Sequence, residues 1–77
     1  MPTVLRVVGF DIIIFLPDRE HGPAHVHVRK AGKEVVLTLE PVAIVRTQMT
    51  RAETGGAVRL VEAHREFLLS EWRKYHG

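Results

Sequence analysis

The stretch Glu20-His21-Gly22-Pro23-Ala24-His25-Val26-His27-Val28-Arg29 holds three of the five histidines of the chain. Imidazole titrates closest to neutrality of all side chains, so it serves acid–base chemistry and metal coordination alike. In an extended strand His25 and His27 share one face about 7 Å apart. Both can then reach a single ion through metal–nitrogen bonds of about 2.0–2.1 Å. His21 precedes them on a loop that Pro23 restrains, and it can fold back as a third ligand. Asp18 or Glu20 can supply a carboxylate, as a ligand or as a hydrogen-bond acceptor behind a liganding ring. Three histidines with an open fourth position hold catalytic zinc, whose bound water ionises near about pH 7. On this reading His21, His25 and His27 are candidate metal ligands and a zinc-like divalent metal is the cofactor. Arg29 weighs against it, because it continues the same row and sets a cation beside the ion.

The same row reads differently beside nucleic acid. His25, His27, Arg29 and Lys30, with Lys33 at a hairpin tip, are expected to form a compact cationic binding face. Two histidines can act as general acid and base, and an arginine can stabilise a phosphorane. His25, His27 and Arg29 are the candidate catalytic residues of that reading. The plainer alternative is that Lys30 and Lys33 only solvate a hairpin tip. His64 falls on an apolar helical stripe, where a core histidine satisfied by one hydrogen bond is the commoner arrangement. His76, near the chain end, is expected to be loosely held. Trp72 and Tyr75 extend the stripe and are expected to pack in the core or at an interface. Ser70 and Thr38 have no spacing that suggests a nucleophile.

The elements that must position these groups follow from periodicity. Val4–Val8 and Phe10–Leu16 read as two strands of a tight hairpin around Gly9, the second a continuous apolar run. Pro17 ends that run, and a polar loop leads to Gly22-Pro23. His25–Lys30 alternates, with Val26 and Val28 opposite His25, His27 and Arg29. Ala31-Gly32-Lys33 makes a second hairpin loop. Glu34–Glu40 then alternates with Val35, Leu37 and Leu39 on one side. Val42–Val45 is a candidate fifth strand. Thr50-Arg51-Ala52-Glu53 is a capping box, and Gly55-Gly56 weakens the turn behind it. The helix therefore starts either at Thr50 or only at Ala57. From there Ala57, Leu60, Val61, His64, Leu68, Trp72 and Tyr75, with Phe67 beside them, recur at helical spacing. The expected fold is α+β: an antiparallel sheet of four or five strands followed by one long C-terminal helix packed on one sheet face.

A chain of 77 residues is one small domain, and at about this size only some 60% of the unfolded surface is buried. With no cysteine to form disulfides or thiolate sites, a homo-oligomer is expected to help the thin core. The composition, 45% hydrophobic and 26% charged, is that of a folded chain rather than a disordered one. No apolar run is long enough to span a membrane, and the first residues do not form a signal peptide. A cytoplasmic protein without membrane association is expected. The net charge of +2 permits nucleic-acid contact without demanding it.

The opening Met1-Pro2-Thr3-Val4, the loop from Glu20 to Val28 and the ending Trp72-Arg73-Lys74-Tyr75-His76-Gly77 resemble a small bacterial family catalogued as domain of unknown function 4160. Its members carry an acidic residue or Asn, then His, a spacer, Pro-Pro and His-Val-His. Ala24 stands here where the second proline is usual, which loosens the loop that delivers His21, and Val42 to Ala57 diverges. The resemblance implies a free-standing cytoplasmic bacterial protein, encoded beside a second small gene in a pair of the toxin–antitoxin kind. It assigns no catalytic residue. The leading expectation is an interaction module in such a pair, with the adjacent gene's product as protein partner and the histidine strand as contact face. A metal-binding hydrolytic protein and a structural dimer without an active site are the alternatives.

Overall fold

A computed structural model describes residues 3–16 and 22–77. Five strands, β1 (Thr3–Val7), β2 (Phe10–Ile13), β3 (His25–Lys30), β4 (Lys33–Leu39) and β5 (Val42–Thr47), precede two helices, α1 (Arg51–Ala63) and α2 (Arg65–His76). The strands pair in chain order, every neighbour antiparallel, so the sheet is a plain meander. Two of its turns are two-residue loops, Val8-Gly9 and Ala31-Gly32, with both residues of each at positive φ. That backbone matches the right-handed twist of the flanking strands. Glycine adopts it at little cost in the second position of each loop.

Period-two alternation separates the two sheet faces. Ile12, Val28 and Val35 line up across β2, β3 and β4, as do Val26 and Leu37 across β3 and β4. All are fully buried, together with Ile14, Leu39, Ala57, Val61 and Leu68, so this face and the helices make the core. His25, His27 and Arg29 alternate onto the opposite face, across from Thr38, Val36 and Glu34. The expected fifth strand exists and runs on to Thr47, with a bulge where Val45 lies between Ile44 and Arg46. The expected second strand stops at Ile13 rather than Leu16.

The single long helix is replaced by two. Thr50 does cap α1: its hydroxyl accepts from the Glu53 amide at 3.1 Å, and its own amide donates to the Glu53 carboxylate at 3.0 Å. The helix begins at Arg51 and takes in both glycines. It ends where His64 leaves helical geometry, at φ −112° and ψ 18°. Residues 51–76 as one rod would run about 39 Å, whereas the longest extent of the molecule is 33 Å. Bending at His64 keeps α2 on the sheet, where Arg65 Nε donates to the Leu39 carbonyl at 2.7 Å. The break also rotates the stripe. Leu69 is buried, and Phe67, expected beside the stripe, is 44% exposed. No helix among the described residues is long and apolar enough to cross a membrane.

Candidate functional site

The open face of the sheet is built around β3 and β4. Because the turn between them is a two-residue loop, Arg29 stands directly across from Glu34. Their side chains meet, with Arg29 Nε donating to Glu34 Oε2 at 2.9 Å. His27 Nδ1 lies 3.3 Å from the same oxygen. From β5, Arg46 Nη2 reaches Glu34 Oε1 at 3.2 Å. One carboxylate thus holds two guanidiniums and an imidazole, with only 14% of its side chain exposed. Burial pushes the Glu34 carboxyl up, but the Arg29 hydrogen bond and the His27 interactions outweigh it and hold it below its ordinary value.

The imidazoles sit in a chain of rings. The Phe15 ring meets the edge of His27 at a centroid distance of 4.5 Å, and the Arg29 guanidinium lies 5.6 Å from the Phe15 centroid. His25 is 5.5 Å from His27 and 5.1 Å from Trp72 of α2. Trp72 and His76, one helical turn apart, stack in parallel at 3.6 Å. His76 Nε2 in turn donates to the Phe15 carbonyl at 2.8 Å, which closes the chain of contacts on itself. His25 Nδ1 donates to the Pro23 carbonyl at 2.9 Å. A carbonyl only accepts, so the Nδ1 of His25 carries the proton in the neutral ring.

The expected site residues separate into two groups. His25, His27 and Arg29 come together as the strand period requires. Lys30 and Lys33 pair with each other at the hairpin end, one alternation step out of phase with Arg29, so their side chains leave on the helix side. The compact cationic face is therefore divided. Lys33 Nζ donates to Glu53 Oε1 at 2.7 Å, and Lys30 Nζ lies 4.8 Å from the Phe10 centroid. The Lys33 hydrogen bond, with the Thr50 amide behind it, lowers the Glu53 pKa to about 2. His21, with Asp18 and Glu20, lies outside the described residues. Among the described residues no group of three His, Cys, Asp or Glu side chains is arranged to hold a metal ion.

Four further residues belong to the site. Glu34 faces Arg29 because the turn is only Ala31-Gly32, where the expected loop Ala31-Gly32-Lys33 would set it across from Lys30. Trp72 and His76 have the spacing of helical neighbours, yet nothing local tells that their stack reaches β3. His76, expected to be loose, is anchored. Arg46 arrives only through the β5 bulge, which has no local signal. His64 is half-buried at the helix break.

No curated protein and no solved structure matches the chain. The model of one family matches residues 9–73, spanning strands β2 to β5, helix α1 and most of α2. The chain belongs to that family, described as Domain of unknown function (DUF4160).

Proposed function

We propose that the chain is a small protein-interaction module, one component of a pair of the toxin–antitoxin kind, acting through the open sheet face around His25. The observation that carries this reading is how the charges of that face are spent. Arg29 and Arg46 hold Glu34, and on the other side of the sheet Lys33 holds Glu53. A nucleic-acid surface draws its affinity from cations that displace counterions along the phosphates. Cations neutralised within the chain serve that purpose poorly. What lies between the charged groups is a shallow groove with Pro23, His25, Val36, Thr38 and Val45 in its lining. A mixed apolar and polar surface of this kind suits a protein partner.

Co-expression with the product of the adjacent gene tests the proposal. The two chains are expected to co-purify, and His25→Ala or Val45→Glu should separate them while leaving the circular dichroism spectrum intact. A chain that stays solitary with its neighbour present would refute it.

One observation favours the metal reading as a second proposal. The Glu34 carboxylate stands behind His27 Nδ1, the arrangement that orients and activates an imidazole ligand, and the His25 ring is adjacent. His21 would supply the third ligand. Elemental analysis of the purified chain should then find roughly one equivalent of zinc or a similar metal, lost in His27→Ala. Metal-free protein whose melting is unchanged by added zinc would dispose of this reading.

A further inference from the structure

We infer that β5 is the docking edge for an extended, acidic segment of the partner protein, which joins the sheet as an added strand. The inference rests on the interaction-module reading and specifies the chemistry of its partner. Among the described residues β5 ends the sheet, with β4 as its one strand neighbour. Its sequence, Val42-Ala43-Ile44-Val45-Arg46-Thr47, is rich in β-branched residues and contains no proline. Ile44 is 51% and Val45 59% exposed, on an edge that proteins ordinarily shield because its unpaired amides and carbonyls template further pairing.

Charge selects the occupant. A depression flanks β5 on each face of the sheet. Arg46 lines the one on the open face, and Arg51 and Arg59 line the one against α1, beside Ile44, Met49 and Val58. Neither lining contains a carboxylate. Arg46 is already held by Glu34 at 3.2 Å, so the charge that selects the occupant rests on Arg51 and Arg59. The opposite edge differs: Arg6 of β1 lies 3.4 Å from the Asp11 carboxylate and is balanced by it. A second copy of this chain adding across β5 would line one seam with both sets of arginines, a like-charge juxtaposition that disfavours pairing. A partner strand carrying Glu or Asp between apolar residues neutralises them, while its backbone bonds supply affinity.

The probe is a short synthetic peptide alternating Glu and Val, titrated against the intact chain, with a Lys–Val counterpart and an N-methylated Glu–Val version as controls. Saturable binding of the Glu–Val peptide is expected, weakened by salt and lost on N-methylation of alternate amides. Arg51→Gln combined with Arg59→Gln should loosen it about tenfold, as two rim charges allow. Arg6→Gln, which removes the same charge type from the far edge, should leave it unchanged. Equal binding of the Lys–Val peptide, or no binding, would overturn the inference. Equal binding of the N-methylated peptide would reduce the edge to a charged surface and overturn strand addition. A dimer in light scattering that Val45→Glu dissociates would assign the edge to a second copy instead. Displacement of the peptide by oligouridylate would assign it to nucleic acid. If the adjacent gene's product stays bound to the double variant, the interaction module stands and β5 is not its dock. If that product never binds the native chain, the module reading itself fails.

Discussion

A carboxylate with 14% of its side chain exposed, shared by two arginines and a histidine, cannot be neutralised without leaving several donors facing one another. Glu34→Gln keeps the volume and removes the charge that Arg29, Arg46 and His27 share. The two guanidiniums remain 42% and 58% exposed, so water recovers part of their solvation. The cost should therefore fall below that of a wholly buried pair, at about 2 kcal/mol. Since each kcal/mol moves the midpoint of so small a domain by about 4–8 °C, a thermal melt will resolve it. Arg46→Gln should cost about 0.5 kcal/mol by the same measure. Val8 presents the opposite case. It is β-branched, 81% exposed, and held at φ 49° in the first position of its turn. Left-handed backbone costs an L-residue about 1–2 kcal/mol, and Asn-Gly is the pair this turn prefers. Val8→Asn is expected to stabilise the chain by about 1 kcal/mol, read as a higher urea midpoint with an unchanged slope. Of these residues, Glu34 was not legible as the partner of Arg29, because reading Ala31-Gly32-Lys33 as the loop sets it across from Lys30. Nor was the strain at Val8, because Gly9 marks a turn without saying which residue shares it.

At the scale of elements, the strands were legible because alternation is a local property: Val26 and Val28 against His25 and His27 state which face is which. Helix α1 was legible at its start, where Thr50 and Glu53 cap it as their spacing requires. The break at His64 was not, since Ala57, Leu60, Val61, Leu68 and Trp72 keep helical spacing straight through it. Beside it Arg65 donates to the Leu39 carbonyl, a tertiary contact that no local spacing announces. The two glycines of α1 offer a test of what the helix needs. A Cβ at Gly56 would lie 3.6 Å from Phe10 Cζ, and one at Gly55 would lie 3.5 Å from the mobile end of Arg59, both ordinary contacts. Neither glycine has a positive φ. Helix propensity is then the dominant effect, and Gly56→Ala should stabilise by about 0.5–1 kcal/mol. A destabilised Gly56→Ala variant in chemical denaturation would mean that the approach of α1 to Phe10 is tighter than these distances.

For the molecule as a whole, sheet and helices are joined by packing and by a few ion pairs, of which Lys33–Glu53 links the start of β4 to the cap of α1. That contact makes stability depend on acid. The Glu53 pKa falls from an ordinary 4.5 to about 2 in the folded chain, and Glu34 is also held below its ordinary value. A carboxyl whose folded pKa is depressed binds protons more readily when unfolded. Its contribution is therefore complete above the unfolded value and drains away as pH falls through the folded one. For Glu53 that window runs from 4.5 down to about 2. Denaturant midpoints should be flat from neutrality to about pH 5 and then decline steadily. Lys33→Met removes the hydrogen bond that leads the shift, so the decline should become shallower while the stability at neutral pH drops toward the acid value. Glu53→Gln should do the same, while its amide oxygen can still accept from the Thr50 amide. The residual slope of Glu53→Gln reports Glu34, that of Lys33→Met also the hold of the Thr50 amide on Glu53, and a further Glu34→Gln change should flatten the former. Identical slopes in the native chain and in Lys33→Met would mean that the bridge between β4 and α1 contributes nothing in solution, leaving the sheet and helices joined by their apolar face and by neutral contacts such as that of His76 with the Phe15 carbonyl.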